Sequence, residues 1–188
     1  MKIRGITIAA IGAAMALIAA PAAFAADTVT QVVTAGARTA SVANLTLGSA
    51  AYSHSAQSNT GSMTLTADDS SATGLGWNVT VQTSAFVYSG ANAAGATNIP
   101  AANFSLTSAA APTVVAGQVV DVLGIGGPKV PIISPVGTLD SARKTLQANP
   151  LFGQGTYTQA LGVSLSIPAQ SVAGTYTGTL TTTISAGP

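Results

Sequence analysis

The chain has 188 residues, of which 6 are Lys or Arg and 5 are Asp, with no glutamate and no cysteine. With 6% charged residues and a formal net charge of +1, neither a nucleic-acid partner nor electrostatic docking on an acidic polymer is favoured. The missing cysteine excludes disulfide stapling and a lipid-modified cysteine, and a single histidine leaves no His/Cys cluster for zinc.

At the start of the chain, Lys2 and Arg4 precede an uncharged apolar run from Ile6 to Ala20, and Ala23-Phe24-Ala25 has the small-x-small form of a signal-peptidase site. Residues 1–25 are therefore read as a secretory signal peptide cleaved before Ala26. The run is short for a bilayer span and lacks a stop-transfer flank, so the mature chain is expected to have no membrane span; an uncleaved N-terminal anchor is the alternative. Residues 26–188 are expected to form one domain of 163 residues, with Arg38, Lys129, Arg143 and Lys144 against five aspartates. A domain of that size buries roughly 70% of its unfolded surface and needs neither disulfide nor metal. Its polar surface is Ser, Thr, Asn and Gln, which hydrogen-bonds to sugars without charge and is also ordinary for a secreted β-protein.

Apolar–polar alternation, punctuated by Gly, Pro, Asn and Ser, predicts strands near residues 28–34, 38–47, 62–67, 77–83, 103–107, 113–122, 157–167 and 176–185. The pattern points Leu45 and Leu47, Met63 and Leu65, and Trp77, Val79 and Val81 inward. Phe104 and Leu106, then Leu161 to Ile167 at alternate positions, and Tyr176, Leu180 and Ile184 follow them. The predicted fold is all-β, a single immunoglobulin-like antiparallel β-sandwich of about eight strands. Residues 139–148 carry a weak helical pattern hemmed by Pro135, Gly137 and Pro150, which allows a short helix at most.

Two long stretches fall outside these strands. Residues 89–102 are small and flexible; residues 124–135 are apolar, with Pro128, Pro131 and Pro135. Long loops on a secreted β-domain often carry binding. The second stretch reads equally as a strap over an open sheet edge.

The chemistry-bearing residues are few. His54 lies between Ser53 and Ser55, and Asp68-Asp69 is the one close carboxylate pair. A Ser-His-Asp triad can be written, but no Gly-x-Ser-x-Gly elbow accompanies it. Asp68 and Asp69, adjacent in a strand, point to opposite faces, against a paired-carboxylate hydrolase, and suit a turn better than a calcium site. Residues 124–129 lack the spacing of a phosphate loop. No cofactor is expected. Trp77 heads an alternating strand, which favours the core. Otherwise it joins Tyr52 and Tyr88, in loop-like segments, as a candidate glycan contact. Tyr157 and Tyr176 are expected to set their rings at the core edge with hydroxyls toward solvent.

The last thirty residues hold two strand-like runs that open on the same Gly-Thr-Tyr-Thr, at Gly155 and at Gly174. In the second, Tyr176, Gly178, Leu180, Thr182 and Ile184 share one face and Thr177, Thr179, Thr181 and Thr183 the other, the pattern of a half-buried antiparallel strand. Four residues follow it, so the fold is expected to end on a strand with no sorting tail.

Gly76-Trp77-Asn-Val-Thr-Val81, Ile99-Pro-Ala-Ala-Asn-Phe-Ser105, Ser166-Ile-Pro-Ala169 and Ala173-Gly-Thr-Tyr-Thr-Gly-Thr-Leu-Thr-Thr-Thr-Ile184 occur in that order. Together with Val33-Thr-Ala-Gly36, this set resembles the WxL-domain family of Gram-positive surface proteins over nearly the whole mature chain. The first motif reads Trp77-Asn78-Val79, with valine in place of leucine, and the second falls on Thr182-Thr183-Ile184, without tryptophan. The resemblance implies a secreted, extracellular, non-enzymatic protein associated with the cell wall. It would attach without covalent linkage to peptidoglycan or wall glycan, beside other secreted or anchored surface proteins. A rival expectation from the residues alone is a structural subunit of a surface filament or layer, with residues 28–34 donated as a strand to a neighbour's sheet edge. A secreted hydrolase using His54 and Asp68 or Asp69 is a third.

Overall fold

Two strands of thirteen residues set the scale of the molecule. In the computed structural model, which describes residues 29–121, 124–133 and 135–188, they are β2 (Gln57–Asp69) and β9 (Gly155–Ile167). They pair antiparallel in unbroken register from Gln57 opposite Ile167 to Asp69 opposite Gly155. The signal-peptide reading of residues 1–25 lies outside the described residues.

Around this pair residues 34–188 form one compact unit. Its other strands are β1 (Arg38–Val42), β3 (Trp77–Thr83), β4 (Val87–Ser89), β5 (Phe104–Ala109), β6 (Thr113–Gly117) and β7 (Gly137–Thr138), then β8 (Arg143–Ala148), β10 (Thr175–Thr177) and β11 (Leu180–Ala186). One sheet runs β1-β2-β9-β5-β7, with β6 also on β9; the other runs β11-β3-β8, and β10 pairs with β4 as a separate ribbon. All pairs are antiparallel. The result is an antiparallel β-sandwich, as the alternation predicts, with eleven strands among the described residues. No helix among them is long and apolar enough to cross a membrane.

The inward faces are the ones read from the sequence. Leu65, Trp77, Val79, Val81 and Leu161 are fully buried, and Met63, Phe104, Leu106, Val163 and Leu165 nearly so. In residues 176–184 the even positions are half-buried and the odd ones exposed. Residues 29–34 form no strand, and Val29, Val32 and Val33 are 99%, 72% and 80% exposed. A strand without a partner edge has nowhere to place its backbone hydrogen bonds.

The helical pattern over residues 139–148 is overturned. Residues 143–148 are β8, whose Thr145, Leu146 and Ala148 are buried and whose ladder sets Trp77 opposite Ala148. Pairing with β3 outweighs the weak local preference, the usual result where a half-buried sheet position is on offer. The 124–135 stretch supplies a strap. The Lys129 N–H donates to the Gln147 carbonyl at 2.8 Å and the Gln147 N–H to the Lys129 carbonyl at 3.0 Å, while the Asn149 N–H reaches the Gly126 carbonyl at 2.7 Å. The strap thereby pairs the outer edge of β8, which would otherwise present open backbone groups.

Trp77 and Tyr157 sit side by side in the core, ring centroids 6.1 Å apart. The Tyr157 hydroxyl donates to the Gln118 carbonyl at 2.6 Å, and the residue is 0% exposed. The expectation of a solvent-facing hydroxyl is thus corrected, because residue 118 follows β6 and closes over the ring. Burial, helped by the charge of Asp69, raises the Tyr157 pKa above its ordinary value of 10.0. Above pH 10 the unfolded chain gives up this proton while the fold still holds it, so the folded state binds more protons and stability falls as pH rises. Tyr157→Phe is expected to flatten that alkaline decline and to cost about 1 kcal/mol at neutral pH for the lost hydrogen bond. Urea midpoints between about pH 8 and pH 11 read both effects.

Candidate cleft at the long-strand end of the sandwich

Strand lengths create the site. At about 3.3 Å per residue, β2 and β9 run roughly 40 Å, whereas the seven-residue β3 and β11 run about 23 Å. β1 covers only residues 65–69 of β2. At the Gln57–Ile167 end, the inner face of the long pair is covered instead by residues 43–53 and by the turn leading into β10. Between them lies a cleft of about 1010 Å³, at the upper end of the range of about 300–1,000 Å³ seen for small-molecule pockets.

The floor of the cleft is apolar. Phe86 and Phe104 meet edge to face, centroids 5.4 Å apart at 68°, beside Ile99, Met63 and Leu165. Ile99 is held by paired backbone hydrogen bonds to Phe86 of 2.8 and 3.0 Å. Gly178 lies on the Phe86 ring, where a Cβ would stand 3.0 Å from it. One wall is residues 43–53, whose Leu45 and Leu47 lean over Gly61 on the inner face of β2. The Asn59 side-chain amide holds the Gly48 carbonyl, and the Gln57 amide the Ala51 carbonyl at 2.8 Å. The opposite wall is residues 171–180, where β10 and β11 each pair on one side only. Among the described residues, none that lines the cleft is charged.

Of the three candidate glycan contacts, the cleft takes in one. Tyr52 lines it at 59% exposure, edge-on to His54 at 5.2 Å and 84°. Trp77 is corrected as a contact: it is 0% exposed, and its Nε1–H donates to the Gly153 carbonyl at 2.8 Å. Gly153 has φ +78°, and a Cβ there would lie 2.7 Å from Trp77 Nε1, so the ring fills its slot. Tyr88 lies outside the cleft lining. It is half-buried, its hydroxyl donates to the Ala173 carbonyl at 3.0 Å, and its ring meets Tyr176 at 5.3 Å. Tyr176 in turn donates to the Val172 carbonyl at 2.9 Å.

The written triad is pulled apart by β2. His54 sits just before the Gln57 end, while Asp68 sits at the far end, about 36 Å along the strand from Gln57. Asp68 accepts hydrogen bonds from Ser70 at 2.7 Å and Thr156 at 2.6 Å. Asp69 points inward, 3% exposed, where its Oδ1 accepts the Ser71 N–H at 3.0 Å and lies 3.2 Å from Arg38 Nε. The pair therefore faces opposite ways and builds a turn. Among the described residues, no group of three or more His, Asp or Glu is placed to hold a metal ion.

Alternation marks neither Phe86 nor Ile99 as a floor residue, although Ile99 opens one of the family-like segments. Each belongs to a segment too short to show alternation, and only the bridge between them brings both to the floor. No family model, curated protein or solved structure matches the chain.

Proposed function

We propose that the chain is a secreted, non-catalytic surface protein that associates without covalent linkage with cell-wall glycan. The observation carrying this reading is the uncharged cleft with an exposed aromatic at its lip. Sugars present hydroxyls and apolar ring faces but no obligatory charge, and tyrosine offers a flat amphipathic surface to such a face. Asn44, Thr46, Ser49 and Ser53 line the same cleft as Tyr52 and carry an amide and three hydroxyls, groups that hydrogen-bond neutral partners. The WxL resemblance of the motifs implies the same reading, with a chain that works beside other surface proteins outside the cell. The Asp68 and Asp69 carboxylates already serve hydroxyl, amide and guanidinium groups of the fold.

Retention on isolated sacculi tests the proposal. The mature chain is expected to sediment with them, and Tyr52→Ala to weaken retention about fivefold, the equivalent of about 1 kcal/mol. Tyr52 is exposed, so this change leaves the core intact. A wild-type chain that stays in the supernatant would sink the reading.

A further inference from the structure

We infer that the floor of the cleft receives residues 29–34 of a second copy of this chain, added as a strand along the free edge of β10 and β11. Two sides of the contact are on view. On the acceptor side, β10 pairs only with β4 and β11 only with β3. In an antiparallel ladder every second residue turns its N–H and C=O away from its partner, so the cleft-side edge of residues 175–180 presents donors and acceptors in strand geometry. Natural edges are commonly guarded by Lys, Pro or a bulge. This one carries only Thr, Tyr, Gly and Leu, with Gly178 leaving the Phe86 ring uncovered by any side chain of its own.

On the donor side, Val29-Thr-Gln-Val-Val-Thr34 is rich in β-branched residues, which favour strands. It has no regular structure and leaves three valines 72–99% exposed. Extended, it turns Val29, Gln31 and Val33 to one side. Six residues span about 20 Å, the same number as the edge from Thr175 to Leu180. Donor residues 29–34 carry no charge, and neither does the cleft, so no ionic group is desolvated when they meet. Addition of this kind draws affinity from main-chain hydrogen bonds and specificity from alternate side chains in pockets. Because donor and acceptor are different surfaces, the contact is heterologous, and repetition yields a filament or, where the rotation closes, a ring.

The glycan proposal uses the Tyr52 lip, whereas this one uses the floor and opposite wall, so the two can fail separately. The test compares the mature chain with V29D/V33D, two exposed positions whose exchange leaves the core untouched. Mass by light scattering after size exclusion is expected to rise with concentration for the wild type. The variant is expected to associate at least about tenfold more weakly, with an unchanged circular dichroism spectrum and melting temperature. A free peptide of residues 28–35 is expected to cap wild-type assemblies. A wild-type chain that is monomeric at every concentration overturns the inference. So does assembly indifferent to V29D/V33D, or assembly that the peptide leaves unchanged. Sacculus retention of V29D/V33D, measured alongside, reports on the lip alone.

Discussion

Trp77→Ala is expected to cost about 4–5 kcal/mol, the upper part of the range for a buried tryptophan. Three features place it there. The ring, carried on β3, is 0% exposed, it packs on Tyr157 of β9, and its Nε1–H is the donor to the Gly153 carbonyl. Truncation opens a cavity that Gly153, held at φ +78°, has no side chain to fill. It also leaves a carbonyl without its donor, worth about 1 kcal/mol or more when buried. Against a total stability of about 5–15 kcal/mol for a domain, such a loss leaves a large unfolded fraction. Trp77→Phe keeps most of the ring and is expected to cost about 1–3 kcal/mol. Because the chain has one tryptophan, urea unfolding must be followed by circular dichroism. A cost below about 2 kcal/mol for Trp77→Ala would contradict a core role. Sacculus retention of folded Trp77→Phe should match the wild type, since this ring never reaches the surface.

The second large effect is expected at Asp69. Its carboxylate is 3% exposed and holds Ser71 through both N–H and hydroxyl, at 3.0 and 2.5 Å, beside Arg38 at 3.2 Å. Asp69→Ala removes the turn acceptor and strands a guanidinium whose side chain is only 15% exposed. Breaking a buried pair by deleting one partner costs roughly 3–5 kcal/mol, because the remaining charge stays desolvated. The loss should lie near the lower end, since Arg38 Nη2 also donates to Thr73 at 2.5 Å. The double exchange Arg38→Met with Asp69→Leu is expected to recover the part due to the stranded guanidinium but not the part due to the Ser71 turn, a coupling that a double-mutant cycle reads directly. Additive losses from the two single changes would show that the pair does not act as a unit. Asp69→Asn should also lower the Tyr157 pKa, since the carboxylate charge contributes to its rise.

Much of this architecture can be read in the chain because burial in a sheet is local. Trp77-Asn-Val-Thr-Val-Gln-Thr83 alternates cleanly, and β3 occupies those seven residues. Leu161, Val163 and Leu165 point where their spacing says. β8 was hidden because Arg143-Lys-Thr-Leu-Gln-Ala148 has charged and polar residues at positions that the strap and β3 cover. Its strand character comes from neighbours distant in sequence. The cleft was hidden for a related reason. It arises from unequal strand lengths, thirteen residues in β2 and β9 against seven in β3 and β11, and unequal ends have no local signature. Tyr52 is legible as a loop aromatic and Phe104 by its alternation with Leu106, but Phe86, which completes the pair beneath the cleft, is not.

Attachment of the uncharged Tyr52 lip to cell-wall glycan, the proposed function, is tested most directly by its salt dependence. Raising salt from about 0.15 M to about 1 M shortens the Debye length from about 8 Å to about 3 Å and suppresses attachment between exposed charges. Sedimentation of residues 26–188 with isolated sacculi is predicted to be the same at both concentrations. Retention that collapses at the higher salt, or is absent at the lower, would contradict the claim.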